Sequence, residues 1–321
     1  MRTIAVANAQ TSERVRTIAA PQILLVWTLP ILYPLSLSVI FRSVELTQAN
    51  VALGSGLLAL AIAWSMAGPV VGWLSLNYLD HNGLDRTRNR LVVNGAWLAT
   101  VTPARTVLVA LAAFLPASDS VSPASATNFR HIHATSAIVL ATYALAHVFN
   151  HSLAIISIGM HTAVLHLFRL AYRQNVGQTI LIGAVAMQVC TGLMMVWKYH
   201  LRRSTPLRNL QLVSGVYLAI FLVTHLITVF TTRHSGIDTD FVWASHAPAG
   251  LLAGLSTVPL LPRYSLAVLA VFIHLACQAR WNLSRAISDS AARKASYSLM
   301  AVGGITTAVI SLAACGIHWM K

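Results

Sequence analysis

Two histidines occupy matching positions in two strongly apolar stretches of the sequence. His225 lies eleven residues after Ser214 in LQLVSGVYLAIFLVTHLITV, and His147 lies eleven residues after Ser136 in SAIVLATYALAHVFNH. A titratable side chain is costly to bury in a membrane-spanning helix and therefore marks a functional candidate. Imidazole is also a common protein ligand of haem iron. The spacing predicts that the two histidines hold one haem between two helices; the alternative is that each bonds a neighbouring carbonyl and serves helix packing.

The composition places these histidines in a polytopic membrane protein. Of the 321 residues, 56% are hydrophobic and only 9% are charged, which is typical of membrane proteins and not of soluble domains. Apolar runs of about 20 residues predict helices, because barrel strands would show alternation over about 10 residues. We therefore predict an all-α transmembrane bundle of seven to eight spans with an internal two-helix repeat.

The charged residues are placed as topology signals. The net charge of +14 comes mostly from short loops between the apolar runs. This predicts contacts with the lipid bilayer or an acidic partner, and not with nucleic acid. All eight acidic residues fall outside the apolar runs, which argues against an ion-coupled transporter built on buried carboxylates.

The apolar runs divide the chain into two predicted regions. Residues 1–125 contain runs at 21–41 and 51–76, followed by a run at 91–115 that Pro103 and Arg105 interrupt. Residues 126–321 form a predicted five-helix domain, with spans at about 134–157, 177–197, 210–231, 264–280 and 296–319.

Lysine and arginine clusters near 198–208 and 280–294 should face the cytoplasm or matrix, as should the N-terminus and the loop before 91–115. All four lie inside only if 91–115 forms a hairpin, which predicts seven full spans with Lys321 outside. Eight spans are the alternative. His147 and His225 then lie at matching depth in the outer half, each about 16 Å beyond its serine. We expect an integral protein of the bacterial inner membrane, with a mitochondrial membrane as the alternative.

The second helix of each predicted pair carries a further feature. The later one contains His274, with Arg280 six residues on at the inner end, where a guanidinium could meet a haem propionate or the headgroups. The earlier one carries Gln188 and Gly192 at the corresponding place.

With these motifs, residues 126–319 resemble the cytochrome b membrane anchor of succinate dehydrogenase and fumarate reductase, in its single-chain, two-haem, five-helix form. Its Ser/Thr-Gly opening followed by histidine is matched by Ser214-Gly215 with His225. A weaker match is Ser136-Ala137 with His147. The resemblance implies outer-haem ligation by His147 and His225, with inner-haem ligands at Gln188 and His274, and it makes Ser214 and Arg280 candidate cofactor-binding residues.

Three positions depart from that family's pattern. Gln188 stands where the family has an inner-haem ligand, so one haem b is predicted, and a second only if His133 or His200 reaches His274. Gln278 replaces the glycine of the family's second-helix motif. Leu212 replaces an arginine that the family links to quinone binding.

The leading hypothesis is a b-type cytochrome that exchanges electrons with a quinone or a partner protein, at most as the electron-transfer subunit of an oxidoreductase, with no catalytic residue of its own. The partner would lie on the inner side. The alternatives are a haem-based redox sensor or anchor that signals to a partner, and a haem-free lipid-handling or assembly scaffold with the same fold.

Overall fold

The computed structural model describes three long segments and a few single residues of the chain. The described residues are 51–81, 126–199 and 205–320, with Ser36, Val39, Ile40, Arg42 and Ser43. The interrupted run at 91–115 and His200 lie outside them, as does most of the run at 21–41.

Within the described residues the protein is entirely helical. The helices are α1 (Val51–His81), α2 (Ala126–Leu153), α3 (Ile158–Tyr172), α4 (Asn175–Tyr199), α5 (Pro206–His234), α6 (Phe241–Ser245), α7 (Leu260–Leu283) and α8 (Asp289–Ala314). This confirms the all-α class.

Five of these helices are long and apolar enough to cross a membrane. The apolar segments are Phe129–Leu153, Asn175–Met195, Pro206–His234, Leu260–Leu283 and Asp289–Ala314. They coincide with the five spans that the sequence predicts after residue 126. Helix α1 carries a shorter apolar stretch, Ala52–Ala67. The predicted total of seven or eight spans depends on runs that the structure does not describe.

The five long helices form a closed ring of neighbours. Helix α2 packs on α4, α4 on α5, α5 on α7 and α7 on α8, and α8 returns to α2. Helix α1 packs on α5 and α7, where the Trp73 indole donates to the carbonyl of Pro206 at 2.8 Å. The Asn209 amide donates to the side-chain oxygen of Asn77 at 2.8 Å.

The connections place the C-terminal ends of α2, α5 and α8 at one end of the bundle, which we call the His225 end. The backbone N–H of Trp319, after α8, donates to the carbonyl of Ile155, after α2, at 2.8 Å. The N–H of Leu251, before α7, donates to the carbonyl of Ala314 at 2.9 Å. The opposite end is called the His274 end.

Side chains that accept hydrogen bonds begin several helices. Ser157 caps α3, Asp240 caps α6 and Ser288 caps α8, each accepting from a backbone N–H of the first turn. Thr205 does the same for α5, with Pro206 at the first helical position. These residue types satisfy the free N–H groups of a first helical turn.

Small residues allow close packing between the long helices. A Cβ at Gly303 of α8 would clash with the Phe272 ring of α7. Small residues at helix interfaces are typical of membrane bundles, since lipid gives no hydrophobic drive for helix association. Gly250, at φ 80°, lies against the Cys315 backbone and holds the loop before α7 onto the end of α8.

A histidine-rich candidate site at the His225 end

The structure brings His147 of α2 and His225 of α5 together. Their ring centroids lie 6.5 Å apart, with the ring planes tilted by 59°. The two residues come from helices that run in the same direction, so their equal offset from Ser136 and Ser214 places them at equal height. Helices α2 and α5 are not neighbours in the ring of five helices. The two imidazoles therefore meet across the interior of the bundle.

An aromatic ring on the same helix supports each imidazole. Tyr143 stacks on His147 with centroids 5.5 Å apart and planes within 14°. Phe221 stacks on His225 with centroids 5.3 Å apart and planes within 11°. Each aromatic residue precedes its histidine by four positions, the spacing at which side chains on one helix face meet. Both imidazoles are therefore stacked in the same way on the aromatic ring one turn before them.

The ring nitrogens of the two histidines differ in their partners. His147 Nε2 shares a hydrogen bond with His151 Nε2 at 3.1 Å, so one of these rings donates and the other accepts. No hydrogen bond to either ring nitrogen of His225 is found within the described segments. His225 therefore keeps a lone pair for a ligand, and His147 can offer one only by changing its bond to His151 or by using Nδ1.

His161 of α3 is a fully buried neighbour of this pair. Its ring lies 5.1 Å from that of His151 and 5.0 Å from that of Phe241. Asn150 Nδ2 donates to His161 Nε2 at 3.1 Å. The histidine proton then lies on Nδ1, which is buried without a hydrogen-bond partner, as is Asn150 Oδ1. Burial lowers the pKa of His161 to about 4, opposed by the Asp240 carboxylate and reinforced by Arg169.

A neighbouring connection shields His161 from solvent. The loop after α5 covers it. Phe241, at the start of α6, is buried and contacts the rings of His151, His161 and His318.

Three arginines lie beside these histidines, and two of them bond one carboxylate. Arg169 donates to both oxygens of Asp238 at 2.9 Å, and Arg173 donates to one of them at 3.1 Å. Arg233 Nε donates to Thr239 Oγ1 at 2.9 Å. Partial burial raises the pKa of Asp238, but the hydrogen bonds from Arg169 and Arg173 outweigh this and hold it below the ordinary value. We call Arg169, Arg173 and Arg233 the arginine cluster.

The other predicted histidine, His274, lies nearer the opposite end of the bundle. Its Nδ1 donates to the backbone carbonyl of Gln211 at 3.1 Å and lies 3.3 Å from Ser214 Oγ. A Cβ at Gly215 would lie 2.8 Å from its Cε1. The His274 imidazole thus packs directly against Ser214 and Gly215. No hydrogen bond to His274 Nε2 is found within the described segments.

In the first helix pair, Ser136 of α2 and Gln188 of α4 occupy the places of Ser214 and His274. Ser136 Oγ donates to Gln188 Oε1 at 2.7 Å. Gln188 Nε2 donates to His133 Nε2 at 2.8 Å, and His133 Nδ1 lies 3.0 Å from Thr191 Oγ1. His133 and His274 are close enough to interact electrostatically. His133 therefore fills the place that Gln188 leaves without a histidine, but both of its ring nitrogens are hydrogen-bonded.

Arg280 belongs to the His274 end and not to the His147–His225 pair. It forms an ion pair with Asp289 at the start of α8, and Arg293 approaches the same carboxylate at 3.5 Å. The predicted cofactor-binding residues are thus divided between the two ends.

Within the described segments, no group of three or more His, Cys, Asp or Glu side chains is arranged to hold a metal ion. His147 and His225 are two imidazoles whose ring centroids lie 6.5 Å apart. Comparisons with models of protein families, with curated proteins and with solved structures found no match for the chain.

Proposed function

We propose that the protein is a membrane b-type cytochrome that binds one haem b through His147 and His225 and transfers electrons to or from a quinone or a partner protein. The observation that carries this proposal is the 6.5 Å separation of the two ring centroids. If one haem iron were held there, His147 and His225 would supply its protein ligands from two different helices.

The surroundings of the two imidazoles fit an axial pair. His225 has no competing hydrogen bond within the described segments, and Phe221 and Tyr143 hold the two rings in fixed orientations. When bound, the haem supplies one-electron chemistry, while the protein contributes ligation, orientation and a low dielectric constant.

The proposal assigns one haem to each chain. His274 has a ligand-like arrangement, because Nδ1 donates to a carbonyl and Nε2 is left without a partner. Its nearest counterpart, His133, uses both ring nitrogens in bonds to Gln188 and Thr191. A second axial pair would require those two bonds to break.

The proposed topology has seven full spans, a hairpin at 91–115 and the N-terminus inside. His147 and His225 would then lie in the outer half of the bacterial inner membrane, or of a mitochondrial membrane. This arrangement is similar to that of the succinate dehydrogenase and fumarate reductase anchors, whose partners bind on the inner side.

Anaerobic mixing with a reduced quinone tests the electron-transfer part of the proposal. Purified full-length protein, loaded with haem, should show haem reduction by a soluble quinol within the time of manual or stopped-flow mixing. Haem that a soluble donor of lower potential reduces but that no quinol reduces would contradict electron transfer with quinone and would favour the sensor hypothesis. Absence of haem binding would leave the scaffold hypothesis.

A further inference from the structure

The arginine cluster carries more positive charge than its partners neutralise. Arg169, Arg173 and Arg233 contribute three positive charges, and Asp238 contributes the one carboxylate that bonds to them. Arg233 bonds to Thr239, a neutral side chain. Asp240, next to Thr239, is a second carboxylate of this segment, so the excess at the His225 end of the bundle is one positive charge.

Part of this charge is buried. The Arg169 side chain is only 10% exposed, compared with 30% for Arg173. The Nε atoms of both guanidinium groups are buried without a hydrogen-bond partner. A buried donor without an acceptor costs about 1–3 kcal/mol, and more when it is charged. Such a site is stabilised by an anion that supplies the missing acceptors.

The cluster lies next to the proposed haem ligands. Arg233 is close enough to His225 and to Tyr143 for electrostatic interaction. Tyr143 stacks on His147 and packs edge to face on Tyr172, with centroids 5.4 Å apart. Tyr172 directly precedes Arg173 at the end of α3. Tyr143 and Tyr172 thus connect the histidine pair to the arginine cluster.

We infer that the arginine cluster binds the carboxylates of the group held by His147 and His225, which are the two propionates if that group is haem b. The inference rests on the proposed function. The propionate carboxylates would offset the remaining positive charge and supply acceptors for the buried Nε groups of Arg169 and Arg173. Guanidinium groups suit this role because they present forked N–H donors that match the two oxygens of a carboxylate.

Asp238 takes a positioning role in this arrangement. Its bidentate bond to Arg169 and its bond to Arg173 hold two guanidinium groups side by side before any ligand is present. Without it, the arginines would repel one another. The ligand would then bind a site whose geometry is already set.

The test compares haem b with its dimethyl ester, in which both carboxylates are blocked. Purified full-length protein, stripped of haem, is titrated with each form and binding is followed by absorbance. Wild-type protein should bind haem b about 10-fold to 100-fold more tightly than the ester, the range expected of charge-assisted hydrogen bonds. Arg233→Gln, which leaves the Asp238 ion pairs intact, should weaken haem b binding and leave ester binding nearly unchanged. Arg285→Gln, exposed at the opposite end, is the matched control.

Three outcomes would overturn the inference. If wild-type protein binds both forms equally and Arg233→Gln changes neither, the axial pair holds haem but the cluster does not contact it. If Arg233→Gln changes affinity only when anionic phospholipid is added, the cluster binds lipid phosphate instead. If wild-type protein binds neither form, the inference and the proposed function both fail. The wild-type comparison needs no variant and therefore does not depend on how well Arg233→Gln folds.

Discussion

His147 and His225 face each other across the interior of the bundle with ring centroids 6.5 Å apart, each stacked on an aromatic ring of its own helix. The relationship joins the two halves of the repeat. It also explains why a titratable residue can stand in each of two apolar helices, since both imidazoles face the bundle interior and not the lipid.

The first prediction separates His147 from His151, whose Nε2 atoms share a hydrogen bond at 3.1 Å. His147 is the one whose ring centroid lies 6.5 Å from that of His225. His147→Ala should therefore remove the b-type spectrum, while His151→Ala should retain it. Ligation through His147 Nδ1 would keep the Nε2 bond to His151, so its loss in His151→Ala should then shift the midpoint potential. Ligation through Nε2 would displace that bond and predicts no shift. Absorbance spectra and redox titration of the two purified variants decide this. The reverse result would identify His151 as the ligand.

The second prediction concerns the close contact between Gly215 and the His274 imidazole. A Cβ at Gly215 would lie 2.8 Å from His274 Cε1, whereas a Cβ at Gly183 of α4 would meet nothing within 4 Å. Gly215→Ala should therefore force the imidazole to move and lower the free energy of unfolding by about 1–3 kcal/mol. Gly183→Ala should be neutral or slightly stabilising, since alanine favours a helix. Unfolding of both variants in detergent micelles measures the difference; equal stabilities would mean that the His274 ring does not rest on Gly215.

The third prediction is a pH dependence that His161 causes. Its folded pKa of about 4 lies below the ordinary value of 6.5, so between these values the unfolded chain binds more protons than the folded one. Stability from this group is fully present above pH 6.5 and falls as the pH drops towards 4. The slope it contributes is at most about 1.4 kcal/mol per pH unit.

His161→Gln should flatten the loss of stability between pH 7 and pH 5, as measured by thermal unfolding in detergent at each pH. His166→Gln, an exposed position on the same helix, should leave the wild-type slope unchanged. Parallel curves for wild type and His161→Gln would show that this histidine does not control the acid sensitivity.

Hydrophobic pattern was sufficient to predict the five long helices after residue 126, because each run is close to the length that a bilayer requires. The equal spacing from Ser136 and Ser214 also predicted that His147 and His225 lie close together, since position along a helix follows from residue spacing, and their ring centroids are 6.5 Å apart. Both results depend only on local sequence and helix geometry.

The surroundings of the pair depend on how the connections fold, and spacing does not encode that. His161 is buried because Phe241 and the segment after α5 cover it. The arginine cluster forms because Asp238 in that same segment reaches Arg169 and Arg173 on α3, from positions more than 60 residues away in the chain. The sequence feature that pointed to the arginine cluster was the presence of arginines near the ends of α3 and α5. Sequence analysis treats such arginines only as indicators of topology.

Haem content and its dependence on His225 test the central claim most directly. The measurement is the reduced-minus-oxidised spectrum of protein purified from haem-supplied cells, with the haem-to-protein ratio. The account predicts a b-type spectrum with about one haem per chain, its loss in His225→Ala and its retention in His234→Ala, an exposed position on the same helix. A protein without a b-type band, or a spectrum that His225→Ala leaves unchanged, would contradict it.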